Sequence, residues 1–228
     1  MALHPSHHGL KMFPKSDAPN TLEICEYSNI PFWFLSLDKL IAEKIDLDYT
    51  CPFSAKMFRT IHNDLYSLLD KKYPGNIQVI FRPLIQPWHP SSTLTHEAAV
   101  AVLLTEPAKF WRFSNALFQH QEEFFDSNVV DETRNQTYER LTQLAKKTCS
   151  IDPEKLYNML QIQGPGDVQS LNAGNHLTPH LKFLTKASRI VGAHFTPTVY
   201  YNGVEERSID SSFTKEQWED WVAKQLST

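Results

Sequence analysis

Residues 45–85 constrain the fold more than any other stretch of this chain, because their apolar pattern changes period twice. Residues 45–50 alternate apolar and polar side chains, which predicts a β-strand. Apolar side chains then recur every three or four residues, the spacing of one helix face: Phe53, Met57, Ile61, Leu65 and Leu68. Residues 77–85 form a nearly continuous apolar run, typical of a buried parallel strand. The sequence therefore predicts one βαβ unit, with Cys51 directly after its first strand.

Composition and charge exclude several classes of protein. The 228 residues, 41% of them apolar, suffice for one large domain or for one domain carrying an insertion. A net charge of -4 gives no general attraction to nucleic acid, and no apolar segment reaches the roughly 20 residues of a membrane-spanning helix. The first twenty residues lack the apolar core of a secretory signal, and three cysteines are too few for a disulfide framework. We expect a cytoplasmic protein with no nucleic-acid or membrane partner.

Helical periodicity dominates residues 91–187, and strand-forming residues return after that block. Helices are predicted over residues 95–104, 107–125 and 131–147, from Asp152 onward, and up to Gly192. Residues 196–201 favour a strand, and Asn202-Gly203 after them is a strong hairpin signal. Thr214 with Gln217 predicts a capping box at the start of a closing helix.

Two short motifs stand out in this order: Cys51-Pro52-Phe53-Ser54 lies between a strand and a helix, and Phe195-Thr196-Pro197-Thr198 precedes a hairpin. On these motifs the chain resembles the thioredoxin superfamily, and in particular its DsbA-like branch. The resemblance implies an α/β thioredoxin fold with a helical insertion domain. The expected parts are a disordered tail at 1–20, an N-terminal half at 21–86, a helical insertion at 87–187 and a C-terminal half at 188–228.

Cys51 has the local surroundings that a reactive thiol needs. At the first turn of a helix, the positive end of the helix dipole and unpaired N–H groups both favour the thiolate over the thiol. Pro52 fits the first helical turn, where its missing N–H is not needed, and the Ser54 hydroxyl could donate a hydrogen bond to the sulfur. The tetrapeptide alone leaves open the alternative of an inert cysteine at a helix start.

The resemblance assigns roles to six residues of these two motifs. Cys51 is the expected nucleophile and Ser54 the donor to its thiolate, and the expected substrate contacts are Pro52, Phe53, Thr196 and Pro197. In this family the proline that matches Pro197 is cis, and its loop faces the active-site cysteine. Backbone groups of Thr196 would then be offered to an extended peptide or to glutathione.

Ser54 departs from the family pattern, which usually has a second cysteine at this position. A second cysteine resolves a mixed disulfide by intramolecular attack, so with Cys51 alone an incoming thiol such as glutathione must do so. The resemblance therefore implies a monothiol thiol–disulfide oxidoreductase, with glutathione as co-substrate, protein thiols or disulfides as partners, and no bound cofactor or metal. Two alternatives remain: a non-catalytic peptide-binding module, and a glutathione transferase like those of the kappa class.

Three other residues are weaker candidates for a functional role. Asp48 leaves two interpretations open, a buried acid that tunes the thiol or a solvated edge residue. Cys149 ends a predicted helix and is expected to pack within the helical block. Cys25 could pair with Cys51 only if the fold brought them together, which nothing in the sequence indicates. The ten histidines show no zinc-site spacing, so no metal site is predicted.

Residues 25–45 interrupt a pattern that the family usually runs as one strand. Members typically read Thr-Leu-Glu-Ile-x-Leu-Asp-Tyr-Thr-Cys, whereas here Ile24 and Leu47 are separated by 22 residues. The codons for Cys25-Glu26-Tyr27 can contain a splice donor, and those for Ile45-Asp46 can contain an acceptor. Cutting there removes 63 bases, a multiple of three, and joins Ile24 to a new tyrosine and then Leu47. We therefore predict that residues 25–45 are a retained intron or a gene-model artefact rather than part of the family fold.

Overall fold

A mixed sheet lies at the centre of the part of the chain that the computed structural model describes, residues 20–21, 43–164 and 171–227. The strands within these residues are β1 Asn20–Thr21, β2 Glu43–Leu47, β3 Ile77–Pro83, β4 Thr198–Tyr201 and β5 Val204–Glu205. Their order in the sheet is β1-β3-β2-β4-β5. β1 and β2 run parallel to β3, whereas β4 is antiparallel to β2 and to β5.

The predicted βαβ unit is present, but its helix is not continuous. The segment between β2 and β3 consists of α1 Pro52–Thr60, a π-helical turn Ile61–Leu65 and α2 Tyr66–Lys72. The buried stripe differs from the predicted one at both ends: Phe53, in the first turn of α1, is 63% exposed, and after the π turn Leu69 is buried where Leu68 was expected. The π turn adds a residue to one turn and so shifts the phase of the stripe. The first strand also ends earlier than predicted, at Leu47, so that the residues before Cys51 form a turn.

The helical insertion packs around one nearly all-apolar helix. Its helices are α3 Ser92–Thr105, α4 Phe110–Gln119, α5 Asp126–Val129, α6 Arg134–Cys149, α7 Pro153–Leu160 and α8 Thr178–Ile190. Every residue of α3 from Thr95 to Leu103 is buried, and α3 contacts α4, α6, α7 and α8. The helix predicted over 107–125 is wrong in one respect: it stops at Gln119 and is followed by a 3₁₀ turn, Gln121–Phe124.

The C-terminal half returns the chain to the sheet and places a proline loop beside β2. Asn202 and Gly203 form the predicted hairpin turn, with φ of 52° and 83°, values that glycine and asparagine tolerate best. The closing helix, α9 Lys215–Leu226, begins with the predicted capping box of Thr214 and Gln217. Because Thr198 of β4 pairs with Asp46 of β2, the loop before β4 lies near the residues that follow β2.

Two predictions about the N-terminal region fall largely outside the described residues. Of the expected tail at 1–20, only Asn20 is described, and it begins β1. Of the expected insertion at 25–45, residues 25–42 lie outside the described part, and Glu43, Lys44 and Ile45 form the first three positions of β2. Ile45 is buried opposite Phe81 of β3. None of the described helices is long and apolar enough to cross a bilayer.

Candidate active site

Cys51 lies at the N-terminal end of α1, directly after the turn that ends β2. Its backbone is extended (φ -87°, ψ 120°), and its N–H donates to the Asp48 carbonyl oxygen at 3.1 Å. The residue is 5% exposed, and its Sγ lies 3.6 Å from the Thr196 carbonyl oxygen, to which the thiol can donate. The sulfur therefore sits at the positive end of the nine-residue helix α1 and beside the loop before β4.

The three residues after Cys51 divide into a surface pair and a buried hydroxyl. Pro52 and Phe53 are exposed at the first turn of α1, and Phe53 projects 63% of its surface to solvent. Ser54 is completely buried, and its Oγ accepts a hydrogen bond from the Asp48 N–H at 3.2 Å. The hydrogen bonds of the described residues do not include one from Ser54 to the Cys51 sulfur. Donation to the thiolate stays a prediction, for which the Ser54 proton is still available.

The loop of Thr196 and Pro197 forms one side of a groove next to the sulfur. The Thr196–Pro197 peptide bond is cis. The groove has a volume of about 490 Å³, and its walls include Phe53, Phe195, Thr196, Pro197, Ile209 and Asp210. Thr196 is about nine-tenths buried, and its Oγ1 has no hydrogen-bond partner within the described part of the chain. Four of the residues assigned from sequence, Cys51, Phe53, Thr196 and Pro197, thus come together at the carboxyl end of the central strand β2.

Asp48 is completely buried, which excludes the interpretation of a solvated edge residue. Its Oδ1 accepts hydrogen bonds from the Thr50 N–H and hydroxyl, both at 2.9 Å, and from the Ser92 hydroxyl at 2.8 Å. Its Oδ2 accepts from the Gln86 N–H at 3.1 Å and pairs with His89 Nδ1 at 3.0 Å. One carboxylate therefore fixes the turn before Cys51 to the segment that enters α3.

Gln121 connects the helical insertion to the same turn. Its Nε2 donates to the carbonyl oxygens of Tyr49 and Cys51, at 2.9 and 3.3 Å, and the residue is 8% exposed. Tyr49 is also held through its hydroxyl, which lies 2.7 Å from Ser114 Oγ, and burial raises the pKa of Tyr49 well above its usual value. The sequence interpretation missed Gln121, His89 and Ser92, since their partners lie 41 to 72 residues away.

The other cysteines and the histidines do not extend this site. Cys149 is 2% exposed and packs in the core of the helical block, where it was predicted to lie. Cys25 lies outside the described residues. Among the described residues, no group of three histidine, cysteine or acidic side chains is placed to hold a metal ion.

Comparison with known proteins identifies the fold. A family model described as thioredoxin matches residues 47–224. The chain is similar to a candidate protein-disulfide isomerase from Pseudomonas syringae, with 24% identity and a TM-score of 0.62 over 80% of this chain and 93% of that one. It is also similar to the thiol-disulfide oxidoreductase MdbA from Actinomyces oris (19% identity, TM-score 0.57, 80% and 79% covered). A third similar structure is DsbA from Chlamydia trachomatis (17% identity, TM-score 0.57, 82% and 87% covered).

A search of curated proteins finds no match. The predicted thioredoxin fold with a DsbA-like helical insertion is confirmed.

Proposed function

The chain belongs to the thioredoxin family, and on that basis we propose that it is a DsbA-like thiol–disulfide oxidoreductase that reacts through the single thiol of Cys51. The observation that carries this proposal is the position of the sulfur. It lies at the N-terminus of α1, 3.6 Å from the carbonyl oxygen of Thr196, and Thr196 lines an open groove. A thiolate at a helix N-terminus is stabilised by the helix dipole and is the nucleophile of thiol–disulfide exchange.

The proposed reaction has two exchange steps, since Ser54 supplies no second thiol. In the first, the Cys51 thiolate attacks one sulfur of a substrate disulfide, a Cys51–substrate disulfide forms, and the other substrate sulfur leaves as a thiolate. In the second, a glutathione thiolate attacks the substrate sulfur of that mixed disulfide. A glutathione–substrate disulfide forms, and Cys51 leaves as a thiolate. When the substrate is instead a glutathione mixed disulfide, the Cys51 thiolate attacks the glutathione sulfur and the substrate leaves as a thiolate. A second glutathione thiolate then attacks the glutathione sulfur of the Cys51–glutathione disulfide, which releases oxidised glutathione and the Cys51 thiolate.

The groove supports a peptide or protein thiol as the other substrate. The Phe53 and Phe195 rings are 63% and 56% exposed at its walls, an arrangement that suits apolar side chains flanking a cysteine. A buried Thr196 hydroxyl without a partner among the described residues lies in the same wall. A ligand that offered a hydrogen-bond acceptor there would satisfy it.

The test is a glutathione-dependent assay with three variants of the full chain. The wild type is expected to reduce a peptide–glutathione mixed disulfide. The activity of Cys51→Ser should be lower than that of the wild type by at least about 100-fold, because the thiolate is the nucleophile. Cys149→Ser removes a buried thiol that does not line the groove and is the matched control, expected to retain activity. Ser54→Cys creates a dithiol motif and is expected to release one equivalent of reduced peptide without added glutathione, with the motif left oxidised as an internal disulfide.

Two outcomes would contradict the proposal. Activity that survives Cys51→Ser would show that another group does the chemistry. Binding of a cysteine peptide by the wild type without any exchange would favour the non-catalytic module instead. Mass spectrometry of the isolated protein for a glutathione adduct on Cys51 tests independently for the Cys51–glutathione disulfide that forms when the substrate is a glutathione mixed disulfide.

A further inference from the structure

A second cavity opens beside the active-site turn, and His89 lies in its wall. The cavity has a volume of about 370 Å³ and is lined by Thr50, Pro52, His89, Ser91, Phe125, Asp126 and Ser127. Thr50 and Pro52 are the chain neighbours of Cys51 on either side. The His89 imidazole and the backbone that carries the reactive sulfur therefore border the same space, one large enough for a small thiol.

Asp48 fixes the orientation of the His89 ring. The Nδ1 atom lies 3.0 Å from Asp48 Oδ2, and because an ionised carboxylate can only accept, Nδ1 must carry the proton of this hydrogen bond. No hydrogen bond in the described part of the chain uses Nε2, and the His89 side chain is 26% exposed. The pairing thus leaves Nε2 as the nitrogen that can exchange a proton in the cavity, in either charge state of the ring.

We propose that His89, oriented by Asp48, is the proton-transfer residue for thiol exchange at Cys51; this rests on the function proposed above. In the first step, the imidazolium Nε2–H protonates the thiolate that leaves when Cys51 attacks the substrate disulfide, so that a neutral thiol departs. In the second step, neutral Nε2 takes the proton of the incoming thiol, which then attacks the mixed disulfide as a thiolate. The proton lost in one step is regained in the other, and no further reactant is required.

Proton transfer from His89 matters most when the leaving thiol has a high pKa. The rate of disulfide exchange falls as the pKa of the leaving thiol rises, and an alkyl thiolate is a poor leaving group unless it is protonated. A positioned general acid typically accelerates such a step by about 10²–10⁴-fold. Within the described residues, the charged groups that contact His89 or line the cavity with it are two carboxylates: that of Asp48, which holds Nδ1, and that of Asp126 on α5.

The experiment compares two uncharged disulfides that differ in their leaving groups. Bis(2-hydroxyethyl) disulfide releases a basic alkyl thiolate, whereas 4,4′-dithiodipyridine releases a stabilised anion that needs no protonation. His89→Asn retains a side-chain N–H for Asp48 but has no counterpart of Nε2. At pH 7 it is expected to slow the reaction with the alkyl disulfide by about 10-fold or more and to leave the dipyridyl disulfide within about twofold. His176→Asn, an exposed histidine in the helical insertion, is the matched control and should change neither rate.

Each outcome supports or overturns the inference. A His89→Asn variant that slows both disulfides equally, or neither, overturns it, because a purely structural change affects Cys51 towards both reagents. If His89→Asn does not fold, the pH dependence of the wild type decides. As the pH is raised and the imidazolium is lost, the ratio of the rate with the alkyl disulfide to the rate with the dipyridyl disulfide must fall. A ratio that stays constant with pH overturns the proposal. A wild type inert to both disulfides would instead refute the function proposed for Cys51.

Discussion

Replacing the buried carboxylate of Asp48 by an amide should weaken the fold by an amount that the geometry allows us to estimate. Three donors, from Thr50 and Ser92, point at Oδ1, and two, from Gln86 and His89, point at Oδ2. In Asp48→Asn the new amide keeps its oxygen at the Oδ1 position and turns its NH₂ towards the other two donors. The His89 ring can respond by accepting a hydrogen bond from the new NH₂ group through an unprotonated Nδ1. The Gln86 backbone N–H can only donate, so it cannot pair with that NH₂ group. The Gln86 N–H thus loses its charge-assisted bond and is left without an acceptor, so we expect a loss of about 1.5–3 kcal/mol.

Urea denaturation followed by far-UV circular dichroism measures this loss directly. The midpoint for Asp48→Asn should fall while the slope against urea stays constant, since the surface exposed on unfolding is unchanged. Asp70→Asn, which changes an exposed carboxylate on α2, is the matched control and should remain within about 0.5 kcal/mol of the wild type. A decrease of less than about 1 kcal/mol for Asp48→Asn would refute the idea that this carboxylate organises the turn before Cys51.

Three further predictions concern two residues of the helical insertion and one buried tyrosine. Gln121→Ala removes both hydrogen bonds from the insertion to the turn, so native-state alkylation of Cys51 should become several-fold faster; unchanged labelling contradicts this. Glu97→Gln weakens the pair with Arg134, at 2.9 Å, and should lower the free energy of unfolding by about 1.5–3 kcal/mol in urea; an unchanged midpoint contradicts it. Burial, and then the charge of the Asp46 carboxylate, raise the pKa of Tyr200 to about 12. The folded state therefore holds this proton more tightly than the unfolded state. Below about pH 10 the ionisation of Tyr200 should not change the free energy of unfolding, and between pH 10 and 12 it should lower it. Tyr200→Phe should make that decline shallower, and an identical slope in both proteins would contradict the assignment.

The elements that were predicted correctly from sequence are those specified by local patterns. The capping box of Thr214 and Gln217, the Asn202-Gly203 turn and the apolar run of β3 each depend on residues a few positions apart. Errors occurred where packing overrides periodicity. The π turn at Ile61–Leu65 and the break after Gln119 leave the apolar spacing almost unchanged, so the sequence gives no sign of them.

The same division applies to the candidate site. Cys51 and Pro197 stand in short motifs and could be selected from sequence, together with the surroundings that each needs. His89 and Gln121 act through contacts with residues 41 to 72 positions away, and such contacts become visible only when the chain is folded. The buried state of Asp48 likewise depends on the segment that enters α3 covering the turn.

Residues 25–45 carry the last prediction, that transcripts lacking their 63 bases exist and encode a chain of 207 residues. In that chain Ile24 takes the position of Ile45, a buried residue of β2, so an apolar side chain is kept where the sheet requires one. A tyrosine replaces Asp46, and the buried Arg82 loses a carboxylate that lies 3.6 Å from its Nε. The shorter chain also loses the apolar run at 30–35, and with it a segment favourable to aggregation if exposed. It should therefore remain soluble at concentrations where the 228-residue chain aggregates, as light scattering of the two purified forms would measure. Sequencing of full-length transcripts tests the origin of the segment, and retention of the 63 bases in every transcript would show that it is a genuine insertion.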